Sequence, residues 1–246
     1  MATALPSYTE RYSSQHVGDT FALRVHPAPR GGTAPVLVYL DAQLPTGKRT
    51  VPLAHALMAE GRLPQLHLLG IGQTNSLLRK RNRDFIPPRP GATGTPGQAA
   101  AFYLFLTAEA LPWIETQVPV TAQPALIGHS LGGLFALYAS LQEDSPFARF
   151  VALSPSVWVH RRRVLRIAQA RQDAGHQLRG RLFLGAGALE EFNLILPGMR
   201  AFARWIRETE APDLALRVKE IPWKNHFTVV RPGVEQGLEW AFGDFD

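Results

Sequence analysis

Ser130 stands in Gly128-His129-Ser130-Leu131-Gly132, between an apolar run that ends at Gly128 and a second, helical run that starts at Leu131. A serine hydroxyl is barely ionised near neutral pH, so it does chemistry only where a base is held beside it. The Gly-x-Ser-x-Gly spacing at a strand-to-helix junction provides the setting. It makes a sharp, strained turn, with glycines where any side chain would collide, and lifts the hydroxyl above the carboxyl edge of a sheet. The amide of Leu131, first in the helix, then faces the place where an oxyanion would form, and the helix dipole favours that charge. The side chain of His129 should point away in such a turn, so His129 is not chosen as the base.

The base is expected on a loop after a late strand. His226, in Trp223-Lys224-Asn225-His226-Phe227-Thr228, follows a strand ending at Ile221 and precedes the last helix. His176 precedes a strand, on the opposite edge of the sheet, and is a poor rival. An acid that orients the imidazole and stabilises its charged form belongs between serine and histidine in this order. Glu190 and Glu191 are the two carboxylates after the strand Leu182 to Gly185, with Glu190 preferred. A serine–histidine dyad without an acid is the other arrangement.

The elements that must hold these groups alternate. Apolar or alternating runs predict strands over Tyr8 to Ser14, Phe21 to Val25, Val36 to Leu40, Leu66 to Ile71, Ala125 to Gly128, Phe150 to Leu153, Leu182 to Gly185 and Leu214 to Ile221. Helical spacing predicts Gln98 to Gln117, kinked or split at Pro112, then Leu131 to Leu141, Val164 to Arg171, Met199 to Glu208 and Val234 to Phe242. Strands alternating with helices imply an α/β fold, a mostly parallel sheet covered on both faces, with the opening hairpin adding antiparallel strands. The Pro/Gly-rich stretch Pro87 to Gly97 is too short for a domain linker, so residues 1–246 read as one domain.

Composition removes other chemistries. The absence of cysteine excludes disulfides, thiolate metal sites and cysteine nucleophiles. No histidine–carboxylate spacing suggests a metal site, so neither a metal nor a cofactor is expected. The net charge of +6 comes almost wholly from arginine, because Lys48, Lys80, Lys219 and Lys224 are the only lysines. It suits an anionic small-molecule substrate as well as a solvated surface, and no nucleic-acid-binding motif accompanies it. No run approaches the roughly 20 apolar residues of a membrane span. No leader is visible, so cytoplasm is the expectation, with periplasm the alternative if a leader precedes the sequence.

Several further segments carry a resemblance across nearly the whole chain: Val38-Tyr39-Leu40-Asp41, Arg83-Asp84-Phe85-Ile86-Pro87, Gly128-His129-Ser130-Leu131-Gly132-Gly133 and Ser154-Pro155-Ser156-Val157-Trp158. With the Glu190 and His226 regions, the chain resembles the esterase-D-like "putative esterase" family of α/β-hydrolases, in its ferric-enterobactin and siderophore esterase branch. The resemblance implies an α/β-hydrolase fold, Ser130 as nucleophile, His226 as base and Glu190 as acid. It also implies the Gln43 amide as a second oxyanion donor beside Leu131, with Ala42 standing where the family has glycine. An ester substrate follows, in the siderophore case an anionic ferric catecholate trilactone. Arg79, Arg81 and Arg83, read as a basic loop at the active-site edge, are expected to draw that anion in, and Trp158 to line its site. A generic carboxylesterase, an acyltransferase and a non-catalytic binding protein on the same scaffold are the competing expectations. Oligomeric state is not legible.

Overall fold

The computed structural model describes residues 6–75, 77–88, 97–121, 123–209 and 211–243. Residues 89–96 of the Pro/Gly-rich stretch lie outside them. The strands are β1 Tyr8–Ser14, β2 Asp19–His26, β3 Val36–Leu40, β4 His67–Gln73, β5 Ala125–His129, β6 Arg149–Leu153, β7 Gly180–Gly187 and β8 Leu214–Ile221. They form one sheet in the order β1-β2-β4-β3-β5-β6-β7-β8. The β1–β2 and β2–β4 pairs are antiparallel, and every later pair is parallel. This mixed sheet with helices on both faces is the α/β-hydrolase arrangement that the sequence leads one to expect.

Strands buried on both faces read as unbroken apolar runs, and β3 and β4 are buried at every position. Alternate residues still sort between two cores. Val36, Val38 and Leu40 join Leu126, Phe150 and Ala152 under one helical layer. Leu37 and Tyr39 join Ala125, Ile127 and Val151 under α1 (Pro45–Ala59) and α8 (Val230–Phe242). The first layer contains α2 (Leu77–Phe85), α3 (Ala99–Leu104), α4 (Leu111–Glu115), α5 (Leu131–Ser140), α6 (Val159–Asp173) and α7 (Ile195–Glu208). Aromatic rings knit it together: Phe21 stacks on Phe105 at 4.3 Å, and Phe102 meets Phe135 edge-on at 4.9 Å.

Helices α1 and α2 depart from the sequence reading, while the expected break at Pro112 is present. Helix α1 gives no clean period, because Gly47 and Pro52 interrupt it; it is held by burial of Thr50, Ala54, Leu57 and Met58. The long helix around Pro112 is split into α3, a π-helical stretch Phe105–Ala110 and α4, which places Pro112 in a first turn where its missing N–H needs no partner. The basic stretch read as a loop is helix α2, whose buried residues are Asp84 and Phe85 at its last turn. Helix α6 is closer to expectation. His160, Arg161 and Arg162 have left-handed backbone, so regular helix begins at Arg163. Arg166 donates to the exposed carbonyls of His160 and Arg161.

Asp19, at the start of β2, anchors α2 to the sheet: Lys80 Nζ lies 2.8 Å from Oδ1 and Arg83 Nη1 2.7 Å from Oδ2. Burial opposes its charge, but Lys80, Arg83 and the Thr20 amide together hold the carboxyl down at about 2. A carboxyl lowered in the folded state stabilises above its unfolded value of about 3.9, and that contribution fades as pH falls through the folded value. Asp19→Asn should therefore lower Tm by a few degrees at neutral pH. The gap from wild type should narrow on acidification below about pH 4 and close as pH falls through about 2, where the wild-type carboxyl takes up its proton. Thermal melts across pH check this, and a gap independent of pH would contradict it.

Candidate active site

At the end of β5 the chain enters α5 through Ser130, whose backbone sits at φ 61, ψ −116. A non-glycine residue there stores strain, and surrounding contacts must hold it. The Ser130 amide donates to Leu153 O at 2.9 Å, and its carbonyl accepts from Leu134 N and Ser156 N at 2.9 and 3.1 Å. The turn is tight enough that a Cβ on Gly128 would overlap the Gly132 carbonyl, so glycine is required. The serine hydroxyl is directed at Ser156, with Oγ–Oγ 3.4 Å.

His226 sits on the loop between β8 and α8. Asn225 organises that loop, its Oδ1 accepting from the amides of Phe227 and Thr228, both at 3.0 Å. The His226 ring packs against the ring of His129, with centroids 4.5 Å apart, which brings the loop over the turn that carries Ser130. Burial, with His226 beside it, pushes His129 down to about 3, so His129 is neutral at ordinary pH.

Glu190, on the loop after β7, is 1% exposed. Its Oε2 lies 2.6 Å from His226 Nδ1, and its Oε1 accepts from Ser154 Oγ and from the Gly187 amide, each at 2.7 Å. Gly187 must be glycine, since a Cβ would overlap the Lys224 carbonyl on the histidine loop. Burial works against the Glu190 charge, but donors from His226, Ser154 and Gly187 outweigh it and hold the carboxyl below its ordinary value. The arrangement fixes Nδ1 as the protonated nitrogen and leaves Nε2 free to accept. Glu191 is exposed and pairs with Arg200 at 2.8 Å.

The turn after β3 completes the site. Asp41 has φ 57 and is buried, its carbonyl accepting from Leu44 N at 2.8 Å. Ala42 is not left-handed, so alanine is accommodated at the position where the family pattern has glycine, and Asp41 carries the strain instead. The turn adjoins α5, for a Cβ on Gly132 would lie 3.4 Å from Asp41 Oδ2. The Gln43 and Leu131 amides both have no acceptor among the described residues. Side chains pin the turn: Arg81 holds Asp41 through Nε and Nη2 at 2.7 and 2.8 Å, Arg24 donates to Ala42 O, and Gln43 Nε2 donates to Gln73.

The basic residues are thus placed unequally. Arg81 is taken up by Asp41, and Arg83 by Asp19 and Asp84. Arg79 is exposed and has no ion-pair partner among the described residues. Trp158, after β6, is half exposed. An apolar rim of five other residues, which the sequence reading missed, stands on the loops after β7 and β8. Phe192 is 99% exposed, Trp223 85% and Phe227 73%, with Leu189 and Leu194 also exposed. All five lie on the loops that carry Glu190 and His226, and the Phe227 ring meets His226 edge-on at 5.7 Å. Their neighbours in sequence were the available signal: large apolar residues crowding two candidate catalytic positions.

Among relatives of known description, the chain is 27% identical over 192 residues to a siderophore triacetylfusarinine C esterase of Aspergillus fumigatus, covering 68% of this chain and 66% of the relative. It is 31% identical over 150 residues to the ferri-bacillibactin esterase BesA of Bacillus subtilis, covering 53% and 50%. The chain therefore spans between half and two-thirds of these relatives. Among solved structures, an IroE-like serine hydrolase from Shewanella oneidensis superposes with TM-score 0.82 at 23% identity, over 98% of this chain and 82% of that one. The siderophore hydrolase EstB from Aspergillus nidulans superposes with TM-score 0.80 at 20% identity, over 100% and 98%. At such identities these two structures establish the fold. The family described as "Putative esterase" matches residues 14–226, from the end of β1 to the histidine that touches Glu190, and the chain belongs to that family.

Proposed function

We propose that the chain is a serine esterase that works through an acyl-enzyme. The observation that carries this reading is the 2.6 Å contact between His226 Nδ1 and a buried, doubly held Glu190, on a loop packed over the strained Ser130 turn. Ser130 Oγ attacks the ester carbonyl carbon while His226 Nε2 takes the hydroxyl proton. The negative oxygen that forms is received by the Leu131 and Gln43 amides, aided by the N-terminus of α5. His226 returns the proton to the departing alkoxide. A water deprotonated by the same nitrogen then attacks the acyl carbon, and His226 passes that proton to Ser130 Oγ as its bond to the acyl carbon breaks. Neutral His129 packs on His226 without competing for the proton.

The substrate we propose is a siderophore ester. Two relatives described as siderophore esterases support this, and so does the apolar rim, which suits an ester with large planar arms better than a short acyl chain. Attraction of an anion falls to Arg79, whose charge is free of carboxylate partners, while Arg81 holds the oxyanion turn.

Ser130→Ala should reduce ester hydrolysis by several orders of magnitude with the fold unchanged. It should also abolish labelling by a fluorophosphonate; retained turnover or labelling would refute the mechanism. Hydrolysis should fall on the acid side along one limb, because an imidazolium cannot accept the serine proton. Glu190→Gln should be far more damaging than Glu191→Gln, whose parent residue only pairs with Arg200 at the surface.

Arg79 and Arg81 give a separate test against a ferric catecholate trilactone and a small neutral ester. Arg79→Ala should lower kcat/KM for the anion alone, by several-fold at low salt and less at high salt. Arg81→Ala should lower kcat for both substrates alike. A trilactone left intact by an enzyme that cleaves simple esters would remove the siderophore assignment and leave the esterase.

A further inference from the structure

The proposed mechanism uses one oxygen of Glu190. The other is held by Ser154, at the first position beyond β6. Ser154 is fully buried, and its backbone is left-handed at φ 43. Its Oγ donates to Glu190 Oε1 at 2.7 Å, and its amide donates to Gly185 O on β7 at 2.6 Å. Glycine takes such a conformation without strain, whereas serine pays for its Cβ. What serine adds at this point is the hydroxyl. The segment also reaches the nucleophile, since Ser156 donates its amide to Ser130 O at 3.1 Å.

We propose that Ser154 is a positioning residue for hydrolysis: its hydroxyl fixes the rotation of the Glu190 carboxylate so that Oε2 stays on His226 Nδ1. The proposal rests on Glu190 being the acid. The terminal torsion of a glutamate is soft, so a carboxylate held at one point turns readily. Two donors on Oε1, from Ser154 and Gly187, lock that torsion from the side away from the histidine. Without the hydroxyl the Gly187 amide remains alone. The carboxylate then samples orientations that leave the imidazole free to tilt.

The test compares kcat, KM and pH–rate profiles of Ser154→Ala, Ser154→Gly, Glu190→Gln and the Ser154→Ala/Glu190→Gln double variant on a small chromogenic ester. Both Ser154 variants should lose about tenfold in kcat, the scale expected for one hydrogen bond to a charged group, with KM little changed. Their acid limb, which reports the coupled Glu190–His226 pair, should move to lower pH because a carboxylate that is no longer held on Nδ1 stabilises the imidazolium less. Both variants lose the same buried bond, but the glycine variant also relieves the left-handed strain and should keep a higher Tm than the alanine variant at equal loss of kcat, which separates lost activity from lost fold. On the Glu190→Gln background, removing the hydroxyl should add little, since both changes act through one group. Wild-type kcat and an unmoved limb in either Ser154 variant would overturn the proposal, as would a full multiplicative loss in the double variant. If Glu190→Gln itself keeps wild-type turnover, the acid assignment falls and takes this inference with it. If Glu190→Gln is damaged and the Ser154 variants are silent, only this inference falls.

Discussion

One buried carboxylate joins three strand ends. Glu190 accepts from Gly187 at the end of β7, from Ser154 beyond β6 and from His226 beyond β8, and the three bonds differ by no more than 0.1 Å in length. A charge removed from water is costly unless its lone pairs are filled, and this one is filled from three loops that backbone bonds such as Leu189 N to Lys224 O also draw together. The arrangement explains why Gly187 tolerates no side chain and why the histidine loop is folded back on itself through Asn225. It also explains why the Glu190 charge persists where burial alone would neutralise it. Remove the carboxylate and the buried donors lose their acceptor together, so loss at this point spreads through the whole edge of the sheet.

A second polar layer lies on the other side of Ser130, and it changes what the arginines are for. A run of four cations in five residues reads as a solvent-facing or anion-attracting loop. The fold instead winds it into α2 and spends three of the four charges inward: Lys80 and Arg83 on Asp19, and Arg81 on Asp41. The reason is geometric. Asp41 must take a left-handed backbone to turn the chain from β3 into the turn before α1, and its carboxylate is thereby buried beside the nucleophile helix. A bidentate guanidinium satisfies both oxygens of that carboxylate in a fixed plane, as an ammonium could not. Arg81 is therefore a brace for the turn before α1, while Lys80 and Arg83 fasten α2 to the sheet.

How much of this could be read from the sequence follows from the range of each interaction. Burial on both faces is a local pattern, and β3, β5, β6 and β7 are all visible as apolar runs. The nucleophile turn is equally local, since its glycines and serine are five adjacent residues. Glu190 and His226 could be picked out as candidates because this fold sets its acid and base on loops after late strands, in a fixed order. Helix α1 was not, because Pro52 and Gly47 break its period and tertiary burial overrides weak propensity. Helix α2 was not, because its polar residues find partners some 40 to 64 positions away. Ser154 was legible as part of a family segment, but its bond to Glu190 spans 36 residues and no spacing announces it.

Strain marks the same edge from an independent direction. Among the described residues, every non-glycine with left-handed backbone except Gln123 follows the carboxyl end of a strand: Asp41 after β3, Ser130 after β5, Ser154 and His160 to Arg162 after β6, Leu194 after β7 and Trp223 after β8. Each such residue raises the free energy of the fold, and hydrophobic packing cannot account for them, since Leu194 and Trp223 are exposed. An exposed tryptophan held in a disfavoured backbone conformation loses twice, in strain and in hydration, so the fold that keeps it does so at the expense of its own stability. The two apolar cores beneath the helices stabilise the molecule, and the carboxyl edge of the sheet draws that stability down. Stability is surrendered along the edge that carries Ser130, Glu190 and His226, the distribution expected of a sheet with one edge given over to a site and the remainder shaped only by the need to fold.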